Sequence, residues 1–78
     1  MNSSEKLEYY ATAKRADSYQ IMQIIDGEFV PKWVGRLRGI AVSSNGIHVH
    51  DNPKDALECA RNFRKHCQDE FAKKASTK

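Results

Sequence analysis

Residues 52–71 restrict the fold most narrowly. They read N-P-K-D-A-L-E-C-A-R-N-F-R-K-H-C-Q-D-E-F, a helix with a marked start. Asn52 suits the N-cap, where its side-chain oxygen accepts from a free backbone N–H of the first turn. Pro53 falls at the first helical position, where a missing N–H costs nothing. Asp55 places a negative charge at the positive end of the helix dipole. Ala56, Ala60, Phe63, Cys67 and Phe71 then recur at steps of three and four, flanked by Leu57 and Cys59. Lys54, Glu58, Arg61, Asn62, Lys65 and Asp69 fall on the other side, which leaves one apolar stripe. Glu58–Arg61, Asp69–Lys73 and Glu70–Lys74 have the spacing of weak surface ion pairs. A helix over 53–72 is about 30 Å long, enough to cross a small sheet with one face down.

Strands precede it. Tyr19–Asp26 alternates Tyr19, Ile21, Gln23 and Ile25 against Gln20, Met22 and Ile24, and Asp26-Gly27 supplies a hairpin turn. The return strand is Phe29–Arg36. Pro31 cannot donate to a ladder, so this strand is expected at an edge or bulged near the proline. Gly39–Ser43 and Gly46–His50 read as a second hairpin around Ser44-Asn45-Gly46. Leu7–Lys14 is ambiguous. As a strand it aligns Leu7, Tyr9, Ala11 and Ala13, with tyrosines and Thr12 in favour. As a helix it aligns Leu7, Tyr10, Ala11 and Lys14, with Ser3 or Ser4 as cap. The strand is preferred, with a turn at Arg15–Ser18. The expected fold is a small α+β domain: an antiparallel β-meander of three to five strands and one long C-terminal α-helix packed on one face.

The 78 residues suit a single domain, residues 1–78, with an ordered core over about 7–73 and frayed ends. Because both faces of the strands carry apolar residues, the face away from the helix is expected to be an interface. A polar small domain, with mean hydropathy −0.72, is also a candidate for a homodimer. Cys59 and Cys67, eight residues apart on one helix, lie about 12 Å from each other, beyond disulfide reach. They read as free thiols of a reducing compartment. The N-terminal segment has no apolar core of a signal peptide and no run reaches membrane-spanning length, so a soluble, cytoplasmic protein without membrane contact is expected.

The chain carries no catalytic signature. His48 and His50 share a strand face, and Asp51, His66, Cys59 and Cys67 complete an inventory of metal-ligand types. No cysteine pair has the short spacing of a structural zinc site. His66 is expected to project away from the cysteine stripe. No phosphate-binding glycine loop, carboxylate pair or nucleophile–base pair stands out, so a non-enzyme without metal or cofactor is expected.

Lys32-Trp33-Val34-Gly35-Arg36-Leu37-Arg38 is the most suggestive local run. Aromatics and arginines anchor protein interfaces, and Phe29, Lys32, Trp33, Arg36 and Arg38 are the candidate partner-binding residues. The leading expectation is a small non-enzymatic protein acting by protein–protein contact, as an adaptor or inhibitor does. The alternative is a nucleic-acid-binding module using Lys14, Arg15, Lys32, Arg36 and Arg38. Alternation puts Trp33 opposite the cations, which weakens that alternative, and a net charge of +3 is modest for it. The order of strands followed by a capped helix is similar to that of arm-type DNA-binding domains of phage integrases. Small phage and mobile-element accessory proteins share it too, and an anti-defence inhibitor is one role that likeness implies. It is a likeness of architecture, which does not determine function.

Overall fold

The computed structural model describes residues 3–42 and 48–76, with side chains over 5–42 and 48–74. Five elements follow one another: α1 (Ser3–Ala11), β1 (Ala16–Ile25), β2 (Glu28–Leu37), β3 (Ile40–Ala41) and α2 (Pro53–Ser76). The three strands form one antiparallel sheet in the order β1-β2-β3. The α+β architecture with a long C-terminal helix is therefore as expected.

The start of α2 follows the expected local chemistry. Asp55 N–H donates to Asn52 Oδ1 at 2.8 Å, and Asn52 Nδ2 donates back to the Asp55 carboxylate at 3.0 Å. One free backbone N–H of the first turn is thereby satisfied, and the Asp55 carboxylate holds the capping side chain in place. Ala56, Ala60 and Cys67 are buried, while Lys54, Glu58, Arg61, Asn62, Lys65 and Asp69 are exposed. Glu70 meets Lys73 at 3.6 Å, one residue earlier than the spacing suggested for it.

The first correction concerns residues 7–14. They are not a strand: most of them belong to α1, which begins at Ser3, ahead of the expected ordered core. Its C-terminal end is held by distant residues. Arg38 Nε donates to Tyr9 O at 2.9 Å, and Arg38 Nη2 reaches Thr12 O and Thr12 Oγ1 at 3.3 and 3.1 Å. From α2, Arg64 donates to Ala13 O at 3.2 Å and Gln68 to Ala11 O at 3.1 Å. The Tyr10 and Phe63 rings meet edge to face at 5.4 Å. Carbonyls that a short helix leaves unpaired are thus taken up from outside it.

The β1–β2 register is unbroken from Ala16↔Leu37 to Ile25↔Glu28, so Pro31 causes no bulge. Strand β1 begins at Ala16, inside the segment expected to turn. Asp26 and Gly27 both have positive φ, 52° and 78°, the geometry of the two-residue hairpin turn that matches strand twist. Trp33 exchanges both backbone hydrogen bonds with His50 on the side away from β1. By alternation, the backbone nitrogen of Pro31 also points away from β1. Among the described residues β3 pairs only with Arg36 and Leu37, and no strand lies beside Pro31. The proline sits where no donor is needed.

A second correction concerns residues 39–50. The turn lies at Arg38-Gly39, with φ of 54° and 79°, where the sequence suggested the start of a strand. The Ser44-Asn45-Gly46 turn falls outside the described residues. His50 pairs with Trp33, and Val42 N–H donates to Gly35 O at 3.1 Å. Both segments therefore line the same side of β2.

Gly35 sets how closely helix and sheet approach. A Cβ there would lie 2.3 Å from the Ala56 carbonyl oxygen and 2.9 Å from Ala60 Cβ. Helix α2 consequently lies on the face shared by Trp33, Gly35 and Leu37 of β2 and by Ala16, Ser18, Gln20, Met22 and Ile24 of β1. The core gathers Ala13, Leu37, Val42 and Ala60, with Tyr10, Ala16 and Phe63 packed against them. From its start near Trp33, α2 runs past Gly35 and Leu37 toward α1, away from the Asp26-Gly27 turn. The distal hairpin therefore projects beyond the helix. The radius of gyration, 14.3 Å, exceeds the roughly 11.5 Å of a compact chain this long. Among the described residues, no helix is long and apolar enough to cross a membrane.

Candidate docking surface on the projecting hairpin

Most of the exposed large apolar side chains lie on that projection; Ile40 and Val49 lie elsewhere. Met22, Ile24 and Phe29 expose 61, 67 and 74% of their surface, and Ile25 exposes 40%. Met22, Ile24, Phe29 and Pro31 share the helix-side face, because Met22 pairs with Pro31 and Ile24 with Phe29. The most exposed of these residues therefore lie on the helix face, past the end of the helix, and not on the face away from α2. On the opposite face Val34 is buried, its cross-strand partner is Tyr19, and the Arg36 guanidinium lies 4.7 Å from the Tyr19 ring centroid.

The candidate residues divide into two groups. Phe29 projects freely and Trp33 is half-buried, tied by its backbone to His50. The three cations, in contrast, each brace the fold. Lys32 pairs with Asp51, and Arg36 makes a two-point contact with Asp17 at 3.0 and 3.2 Å. Arg38 closes the end of α1 and stacks over Tyr9 at 4.7 Å. Lys14 and Arg15 are exposed between α1 and β1. Lys32 donates a hydrogen bond to Asp51, and its charge adds to that; together they hold the Asp51 carboxyl below its ordinary range.

Cys67 is buried in the stripe as expected, whereas His66 is placed differently from expectation. His50, Cys59 and His66 line one cleft of about 430 Å³ with Asp55, Glu58, Asn62 and Phe63, so His66 does not point away from Cys59. On a helix, positions 59, 62, 63 and 66 fall on one side, and that spacing carried the signal. His48 and His50 rings lie 6.4 Å apart. Among the described residues, no group of three His, Cys, Asp or Glu side chains is positioned to hold a metal ion. Both cysteines are free, and burial pushes both thiols above their ordinary value, which lowers the thiolate fraction a nucleophile needs.

Met22 and Ile24 were not among the residues expected to form a candidate surface. Their alternation was visible, but which face outruns the helix depends on where α2 begins over the sheet. Comparison with family models, with curated proteins and with solved structures finds no match to this chain.

Proposed function

We propose that this chain is a non-enzymatic protein-binding module of adaptor or inhibitor type, and that Phe29 anchors its contact with a target. The observation that carries this reading is the 74% exposure of Phe29 on a hairpin held clear of the helix. Pro31 lies beside it on the same face and Trp33 follows toward the body of the fold. An aromatic anchor next to a rigid proline loses little side-chain entropy on binding and presents a large apolar area. Contiguous exposed apolar surface on a small chain marks an interaction site. Arg36 and Arg38 support the hairpin and α1, so their contribution to binding is indirect.

Nucleic-acid binding through Lys14, Arg15, Lys32, Arg36 and Arg38 has less support. Three of those five cations already have partners, and an exposed Phe29 does not lie on their face.

The test is capture from nuclease-treated lysate on immobilised wild-type chain and on Phe29→Asp, with circular dichroism to confirm the fold of each. Proteins retained by the wild type and lost from the variant identify the target. Equal retention by a folded Phe29→Asp variant refutes the assignment.

A further inference from the structure

We propose that the outer edge of β1 is the seam along which a second copy of this chain docks, in an antiparallel register centred on Gln20. Trp33 directs its backbone groups away from β1, and Gln20 stands directly opposite Trp33. In an antiparallel ladder, opposed residues of such a pair both point outward. Ala16, Ser18, Gln20, Met22 and Ile24 therefore all present N–H and C=O groups on the free side of β1. Nothing among the described residues pairs with them, since β1 ends the sheet.

Edges are ordinarily blunted by proline, lysine or a bulge. The open part of β2 has Pro31 and Lys32; β1, Ala16–Ile25, has no proline, no lysine and no break in register. Its one charged residue, Asp17, is neutralised by Arg36.

The charges flanking β1 select the occupant. Lys14 and Arg15 precede the strand, Asp26 follows it, and Glu28 lies beside Ile25 on β2; all four are exposed. None has an ion pair among the described residues. Centred on Gln20, antiparallel pairing sets residue 14 opposite residue 26 and residue 15 opposite residue 25 of the second copy. The cations at each end then meet the carboxylates of Asp26 and Glu28. A strand of this chain is complementary to itself in that one sense, as a two-fold interface requires. In the same register Met22 and Ile24 come beside Ser18 and Ala16 of the second copy, on the face where its α2 lies. Met22 and Ile24 of each copy are thereby covered by the body of the other, and Phe29 is not.

A seam of nine residues runs about 30 Å at 3.4 Å per residue. Met22 and Ile24 add apolar area to the backbone hydrogen bonds of that seam. Phe29, one strand further in, is left for a different partner, so this proposal stands independently of the proposed function.

Sedimentation equilibrium on the purified chain tests it. The expected mass is about 18 kDa, twice the 8.9 kDa of one chain. Gln20→Pro removes an outward donor from each copy without touching the β1–β2 ladder and weakens association about a hundredfold, whereas Gln20→Ala leaves it intact. A second pair of variants is independent of proline. Lys14→Glu/Arg15→Glu and Asp26→Asn/Glu28→Lys each dimerise poorly alone and recover as a mixture, because both seam ends then carry opposite charges. A wild-type chain that stays at 8.9 kDa at 100 μM overturns the proposal. So does a folded Gln20→Pro variant that remains dimeric, or charge variants that gain nothing on mixing. A wild-type monomer that still captures a target through Phe29 leaves the proposed function standing.

Discussion

Replacing Gly35 with alanine tests how α2 is seated. The added methyl would sit 2.3 Å from the Ala56 carbonyl oxygen, 2.9 Å from Ala60 Cβ and 3.1 Å from Ala60 N. A relaxed carbon–oxygen contact is about 3.3 Å or more, so helix and strand must separate by about 1 Å. The nearest atoms belong to the helix backbone, and no rotamer change can move them aside. A gap of that size forfeits a quarter to a half of the dispersion energy of the facing contacts. These contacts include Ala56 and Ala60, both fully buried. Overpacking of this kind costs about 1–3 kcal/mol, and the backbone clash places Gly35→Ala near the upper end. Alanine's better strand propensity offsets about 0.5–1 kcal/mol of it. A net loss of about 2 kcal/mol lowers Tm by roughly 8–16 °C in a domain of this size. Thermal unfolding followed by far-UV circular dichroism measures it. Ala60→Gly in the Gly35→Ala background should recover only part of the loss, since the Ala56 oxygen remains. A Gly35→Ala variant that melts within about 2 °C of the wild type refutes the close packing described here.

Two further perturbations read out long-range contacts. Arg38→Ala removes three hydrogen bonds to the end of α1 and the stack on Tyr9. It should reduce helical ellipticity and speed amide exchange in residues 8–12 while leaving the β1–β2 ladder protected; unchanged exchange there contradicts the capping role. The Lys32–Asp51 pair makes stability pH-dependent. The Asp51 carboxyl titrates lower in the folded chain than its ordinary 3.8. The unfolded state therefore takes up the proton first as pH falls, and the contribution is full above about pH 4 and lost below it. Asp51→Asn should flatten the fall in Tm below pH 4, and an identical acid profile for the two proteins excludes the effect.

The local sequence determined those features whose interactions span only a few residues. The Asn52-Pro53-Asp55 start of α2 caps the helix through bonds between residues three apart, so its chemistry is local. The stripe of Ala56, Ala60 and Cys67 and the Asp26-Gly27 turn are equally self-contained. The antiparallel β1–β2 pairing follows from that turn and from strand alternation. Phe29, named as a candidate because aromatics anchor interfaces, is exposed because it lies next to the hairpin turn, past the end of the helix.

Tertiary structure decided the rest. A helix of nine residues is marginal alone. Residues 7–14 carry tyrosines that suit a strand, yet 7–11 are helical, and Arg38, Phe63, Arg64 and Gln68 reach this segment from far along the chain. The intramolecular bonds of Lys32, Arg36 and Arg38 escaped the sequence for the same reason. Their partners lie 19 to 29 residues away, outside any sequence window, so a run that reads as a basic patch is a set of braces. Gly35 gave no signal of its own until α2 lay against it. The apolar end of the hairpin and the open edge of β1 depend on where α2 starts over the sheet. That position is set by packing against Gly35 and α1, and the amphipathic pattern of the helix alone does not encode it.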